Sequence, residues 1–145
     1  MTHAALALIN AFVLGLFSGS LLTEAFVLVP FWKTLRPDDF FAFHHDFGNR
    51  LFRYFAPLTI AATALPISLA LWDEGSNLSA DISAIASLIT LSFFPLYFRK
   101  ANEAFHERQV SNEDLPNQLK VWAHVHAIRT VIALVAFCSA LFTIL

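Results

Sequence analysis

The sequence predicts an all-α integral membrane protein, an antiparallel four-helix bundle in up-down-up-down order. The first reason is composition: of 145 residues, 57% are hydrophobic and 14% are charged, whereas an ordinary soluble domain has about 25% charged residues. The second is that the apolar residues form four long runs, each able to cross a hydrocarbon layer of about 30 Å. The third is that the connections between runs are short, which makes consecutive helices antiparallel.

The first run covers residues 4–29 and contains one ionisable residue, Glu24. At a rise of about 1.5 Å per residue, this run is longer than the hydrocarbon layer is thick. No lysine or arginine precedes Lys33, so the run lacks the basic start of a signal peptide and we expect a membrane helix that is retained. Pro30 predicts the end of this helix because proline disrupts helical hydrogen bonding.

The other three runs complete a single domain over residues 1–145. The second run covers 38–72 and is followed by a predicted turn at 73–77. The third covers 78–107 and the fourth covers 115–145. A soluble bundle is the alternative interpretation, but it requires polar outer faces on the first and fourth helices, and neither run has one.

The charges are distributed asymmetrically between the two ends of this bundle. All nine basic residues lie near the end that holds the first and third connections: Lys33, Arg36, Arg50, Arg53, Arg99, Lys100, Arg108, Lys120 and Arg129. The positive-inside rule therefore predicts that this basic end is cytoplasmic and that both termini are non-cytoplasmic, as for a protein of a bacterial inner membrane. The lipid bilayer is the predicted partner, association into a homo-oligomer stays open, and a net charge of −2 argues against nucleic-acid binding.

Five histidines and Glu24 fall at a similar depth near the basic end. The histidines are His44, His45, His106, His124 and His126. Helical spacing limits how many of them share a face, because neighbouring positions on a helix point in different directions. We expect at most one of His44 and His45, and at most one of His124 and His126, to point into the bundle.

A carboxylate together with several imidazoles is a ligand set that suits iron, copper or manganese. The candidate ligands are Glu24, His44, His45, His106 and His126. Other interpretations stay open: a salt bridge from Glu24 to Arg129 or Arg53, and His106 as a C-terminal helix cap. Haem held by two histidines on facing helices is a further cofactor interpretation. The single cysteine, Cys138, excludes an intrachain disulfide and a site built from several thiolates.

Three short motifs resemble the anthrone oxygenase-like family of small membrane proteins, which is largely a domain of unknown function. They are the segment 15–30 with Glu24 and Pro30, then Phe94 and Pro95 followed by Asn102, and finally Trp122-x3-His126-x2-Arg129-Thr130. The resemblance implies a four-helix membrane protein, and some fungal relatives are assigned to the oxidation of anthrones to anthraquinones with dioxygen. It marks Asn102, Trp122, His126, Arg129 and Glu24 as site residues, and it does not fix His44, His45 or His124.

The oxidation of such a substrate requires a base and a way to stabilise negative charge on oxygen. A phenolic or anthrone-type substrate must first lose a proton, and dioxygen then reacts with the electron-rich product directly or through a metal. In a version without a cofactor, His126 or His45 is the base, Arg129 stabilises the oxyanion and Asn102 orients the oxygen. In a metal version, the same histidines and Glu24 hold the metal.

The sequence therefore predicts a membrane-embedded oxidoreductase of the oxygenase type that acts on a lipophilic aromatic or phenolic substrate. Helical spacing supports one element of this site directly, because Trp122, His126 and Arg129 stand at i, i+4 and i+7 and share one face. Two other classes stay open. One is a haem- or metal-binding membrane redox protein. The other is a non-enzymatic structural or transport protein, in which Glu24 and the histidines near the basic end form only a charge network.

Overall fold

The computed structural model describes residues 2–72 and 77–144, which form a bundle of four long helices. We number them α1 (His3–Trp32), α2 (Pro37–Trp72), α3 (Leu78–His106) and α4 (Leu115–Phe142). Each is long and apolar enough to cross a membrane. The structure confirms the predicted all-α four-helix bundle, and the helix bounds agree closely with the four apolar runs. The predicted turn falls mostly on residues 73–76, and these, with Leu145 at the predicted end of the last helix, lie outside the described residues.

The prediction that Pro30 ends α1 is wrong, because the helix continues to Trp32. A π-helical turn over Glu24–Leu28 ends two residues before the proline, and Val29 at its end donates its N–H to the carbonyl of Glu24. Proline has no N–H to donate, and a local change of hydrogen-bond register absorbs the missing bond without ending the helix. A matching π-helical turn, Phe94–Phe98, surrounds Pro95 in α3.

The four helices are arranged as a closed antiparallel square. Each helix packs against its neighbours in sequence, and α1 also packs against α4. Two hydroxyl groups cross between helices in the middle of the bundle: Ser18 donates to the carbonyl of Ala133 at 3.2 Å, and Ser83 donates to the carbonyl of Ala136 at 3.0 Å. Such small residues let the helix backbones approach closely, as is typical of membrane bundles.

The interior divides into an aliphatic middle and an aromatic basic end. Near the connections 33–36 and 107–114, the core consists mainly of large rings, among them Trp32, Phe40, Phe98, Phe105 and Trp122. The outer surface carries many exposed apolar side chains, among them Phe12, Phe26, Leu71, Leu96 and Val131. An apolar exterior of this extent suits contact with lipid rather than with water.

Candidate functional site

A cavity of about 430 Å³ lies inside the aromatic core at the basic end, and all four helices contribute to its wall. Six of the eight site residues predicted from the sequence line it: Glu24, His44, Asn102, His106, Trp122 and Arg129. The other two, His45 and His126, are not part of the lining. Residues that are distant in sequence therefore meet at one cavity, as the antiparallel plan predicts.

The most unusual feature of the cavity wall is a buried ion pair. Arg129 Nη2 lies 3.2 Å from Glu24 Oε2, and the two side chains are 13% and 8% exposed. The guanidinium also lies over the ring of Phe98, with its carbon 4.1 Å from the ring centroid, which is a favourable cation–π arrangement. The salt bridge between Glu24 and Arg129, one of the two predicted for this carboxylate, is confirmed. It joins α1 to α4 at the level of the first π-helical turn.

His126 is fully buried behind this ion pair, and both of its ring nitrogens are occupied. Nε2 lies 3.0 Å from the carbonyl oxygen of Leu21, which can only accept, so Nε2 carries the proton. Nδ1 lies 2.9 Å from Arg129 Nη2, which can only donate, so Nδ1 is the acceptor. This histidine is therefore a neutral imidazole that holds Arg129, and it has no free lone pair for a substrate proton. The predicted role of His126 as the base is not supported.

Trp122 and Asn102 form the next part of the wall. The indole N–H of Trp122 donates to Oδ1 of Asn102 at 2.9 Å, which fixes the orientation of the amide. The amide NH₂ of Asn102 is then available as a donor at the cavity. The Trp122 ring stacks on His126 with centroids 5.1 Å apart. The predicted stripe of Trp122, His126 and Arg129 on one face of α4 is confirmed.

Trp32 also belongs to the cavity wall, although the sequence analysis gave it no role in the site. Its side chain is buried and lines the cavity, with its ring 5.5 Å from that of Trp122. Its indole Nε1 and the Nε of Arg129 are buried and have no hydrogen-bond partner within the described parts of the chain. Buried donors normally find an acceptor. A tryptophan near the end of an apolar run can lie at the membrane interface or in the wall of a cavity, and the sequence does not distinguish these two positions.

The four histidines at positions 44, 45, 124 and 126 divide as expected. His44 and His126 are buried, whereas His45 and His124 are exposed. His44 donates from Nδ1 to the carbonyl of Phe40 at 3.0 Å. His45 does not line the cavity, but its ring stacks on that of His106, which does, with centroids 5.2 Å apart.

The five predicted metal ligands do not converge on one point. Glu24 and His126 lie together, and His44, His45 and His106 form a second group at the α2–α3 contact. Within residues 2–72 and 77–144, no group of three or more His, Cys, Asp or Glu side chains is placed to hold a metal ion. The guanidinium of Arg129 contacts both Glu24 and His126, and it would repel a second cation there. The donor set therefore does not fit the predicted iron, copper or manganese site.

Comparisons of this chain with protein-family models, with curated proteins and with solved structures give no match. The resemblance to the anthrone oxygenase-like family thus stays a prediction that rests on short motifs. The cavity therefore combines a mostly apolar surface, to which six Phe and Trp rings contribute, with one buried carboxylate, one largely buried guanidinium and an amide donor.

Proposed function

We propose that this protein is a membrane-embedded oxidoreductase of the oxygenase type, acting on a lipophilic aromatic substrate that carries a phenolic or enolisable carbonyl oxygen. The observation that carries the proposal is the buried Glu24–Arg129 pair in the wall of a cavity whose surface is mostly apolar. A base next to a cation is the arrangement that removes a proton and stabilises the resulting oxyanion.

The aromatic walls define the class of molecule that fits. The rings of Phe98, Trp122 and Trp32 surround the buried end of the cavity. A volume of about 430 Å³ lies within the range of about 300–1,000 Å³ that is usual for small-molecule sites. Flat apolar rings pack well against such walls, and Glu24 and Arg129 at the buried end would fix the orientation of an oxygen.

We assign the role of the base to Glu24 and not to a histidine. Glu24 lines the cavity, whereas His126 lies behind it with both nitrogens engaged. Glu24 would take the proton from the phenolic oxygen or from the carbon opposite the carbonyl. Arg129, whose Nε has no partner within the described residues, would donate to the oxygen on which negative charge develops. His126 is then a positioning residue that acts through Arg129.

The oxidation balances with dioxygen as the oxidant. For an anthrone, the carbanion transfers electrons to dioxygen and a C–O bond forms at the deprotonated carbon, giving a hydroperoxide. The hydroperoxide loses water to leave the second carbonyl group. One anthrone and one dioxygen thus yield one anthraquinone and one water, and the proton held by Glu24 leaves with that water. Asn102 would donate a hydrogen bond to the oxygen species from its free amide NH₂.

The test is turnover of anthrone by the protein in lipid nanodiscs, followed as oxygen uptake and anthraquinone formation. Glu24→Gln keeps the shape of the side chain and removes the base, so we expect the rate above the protein-free background to fall by about 10²-fold or more. Asp46→Asn is the matched control, because Asp46 is an exposed carboxylate at the same end that does not line the cavity. Equal rates for wild type and Glu24→Gln would exclude this role for Glu24.

A second candidate is a non-enzymatic protein in which the ion pair only locks α1 to α4. The observation that favours it is that the two charges already satisfy each other and join the two helices. This candidate predicts no anthrone turnover by the wild type, together with a loss of stability when either charge is removed.

The orientation in the membrane is also a proposal. We place the basic end on the cytoplasmic side and both termini on the other side, in a bacterial inner membrane. Exposed basic side chains in the two connections, Lys33, Arg36 and Arg108, support this placement because cytoplasmic loops are enriched in lysine and arginine.

A further inference from the structure

The exposed residues of the cavity lining all lie on one side of the bundle. The lining residues contributed by α1 and α4 are buried or half-buried. The exposed lining residues all belong to α2 and α3: Asn49, Phe52, Arg99, Asn102 and Glu103. The mouth of the cavity therefore lies between α2 and α3.

Two contacts between α2 and α3 bound this mouth. Toward the middle of the bundle, the rings of Phe52 and Phe94 meet with centroids 5.9 Å apart. Toward the connections, His106 Nδ1 donates to the carbonyl of His44 at 3.3 Å. The mouth is thus a lateral window with an aromatic edge on one side and a polar edge on the other.

The window straddles the expected boundary between hydrocarbon and lipid headgroups. The apolar stretch of α3 ends at Phe98 and the first charged residue after it is Arg99. On the antiparallel α2, the last charged residue before the apolar stretch is Arg53. Phe94 therefore lies next to the acyl chains, with Phe52 in contact with it at the boundary. The polar edge lies among headgroups, because charged side chains prefer that depth.

We propose that the ligand enters through this window directly from the bilayer, and that it is a phenol with a hydrocarbon tail. The hydroxyl group reaches Glu24 and Arg129, the ring lies between the aromatic walls, and the tail leaves past Phe52 and Phe94 into the lipid. This inference rests on the proposed function, because it takes the same cavity and the same polar end. It adds the route of entry and the amphiphilic character of the substrate.

The first experiment measures whether a tail is accepted. In a Trp72→Phe background, the remaining tryptophans are Trp32 and Trp122, which both line the cavity, and a bound bromophenol quenches their fluorescence. The probes are 2-bromo-4-methylphenol and 2-bromo-4-nonylphenol, compared at equal mole fraction in nanodisc lipid, with non-brominated 4-nonylphenol as competitor. We expect the nonyl compound to bind at least as tightly as the methyl compound. Weakening by about tenfold or more on adding the tail would overturn the proposal.

The second experiment blocks the window. Asn49→Cys, in a Cys138→Ser background, is labelled with benzyl methanethiosulfonate, which places a ring in the mouth. Arg50→Cys is the matched control, since it is the next residue, exposed, and not part of the lining. We expect the label at position 49 to slow quenching by 2-bromo-4-methylphenol by about tenfold or more, the label at position 50 to have no effect, and reduction to restore the rate. Unchanged quenching after labelling at position 49 would show that this window is not the entrance.

The two experiments separate failure of this inference from failure of the proposed function. If neither phenol produces quenching that the competitor relieves, the cavity does not take phenols, so this inference fails, and turnover of anthrone decides the proposed function separately. If the methyl compound binds while the tail is rejected, or while the label at position 49 is without effect, only lateral entry fails.

Discussion

The hydrogen-bond partner of each ring nitrogen determines whether a histidine near the basic end can act as a base. The spacing of Trp122, His126 and Arg129 was enough to predict that they share a face, because helical periodicity is a local property. The role of His126 could not be predicted, since its Nε2 partner is a carbonyl on α1, 105 positions away in sequence. Trp32 was missed for the same reason: its neighbours in the wall come from other helices.

If His126 positions Arg129 and is not a base, a side chain that keeps its two hydrogen bonds should replace it. In His126→Gln the amide can donate to the carbonyl of Leu21 and accept from Arg129, so we expect kcat for anthrone to stay within about tenfold of wild type. His126→Phe keeps a ring at this position but leaves the carbonyl of Leu21 and Arg129 Nη2 without this hydrogen-bond partner. We therefore expect KM to rise and the free energy of unfolding to fall by about 1–3 kcal/mol. Steady-state kinetics and unfolding in detergent measure both effects. Equal loss of kcat in the two variants would instead indicate a base.

The buried ion pair should respond to substitution in a non-additive way. Arg129→Met leaves the Glu24 carboxylate buried without its partner, and we expect a loss of about 3–5 kcal/mol of stability. The double variant Glu24→Gln/Arg129→Met removes both charges and should be more stable than Arg129→Met alone. A thermodynamic cycle from the unfolding of wild type, both single variants and the double variant measures the coupling. Additive losses would mean that the two charges do not interact.

At the scale of helices, the pattern of apolar residues predicts the four helices but not the two π-helical turns within α1 and α3. Run length predicted the four helices closely because it depends on local hydrophobicity alone. Pro30 was expected to end α1 because proline usually ends helices in water, yet in a membrane bundle the freed backbone groups find other partners. The turns lie where α1 and α3 enter the site, and Glu24 is itself the first residue of one.

Replacing Pro95 tests whether the π-helical turn in α3 positions the site. Pro95→Ala restores the missing N–H, so the segment can return to regular α-helix, and the residues after it rotate relative to α4. We expect the helix content to be unchanged and KM for anthrone to rise several-fold, about 1 kcal/mol, as Asn102 loses its hydrogen bond to Trp122. Pro57→Ala is the control, because Pro57 lies in a regular part of α2 outside the cavity lining. An equal KM in Pro95→Ala and wild type would show that this turn does not position the site.

On the scale of the whole molecule, the fold was far more predictable than the site. Four apolar runs and short connections leave few arrangements, so the up-down-up-down bundle follows from one-dimensional information. The cavity depends on how the side chains of α2 and α3 pack, including the contact between Phe52 and Phe94, and packing of this kind cannot be read from the apolar pattern. The contact of Glu24 with Arg129 was predictable because both residues lie at a similar depth in the membrane. Whether the histidines meet at one point depends instead on how α2 and α3 are rotated about their own axes, which the sequence does not show.

The orientation of the bundle gives the last prediction. In a Cys138→Ser background, a cysteine at Asn112 lies in the connection between α3 and α4, and a cysteine at Ile144 lies just beyond the end of α4. Both positions are exposed, so a membrane-impermeant maleimide reports which side each occupies. With the basic end in the cytoplasm, position 144 should label in intact cells and position 112 only after the membrane is opened.

The reverse labelling pattern would place the basic end outside, and the window between α2 and α3 would then open to the other leaflet. Labelling of both positions in intact cells would instead mean that the two ends do not lie on opposite sides of one membrane. Such a result would contradict a spanning bundle, because α4 connects the two positions through a single apolar helix of 28 residues. At about 1.5 Å per residue, that helix is longer than the hydrocarbon layer is thick, so its two ends should emerge on opposite sides.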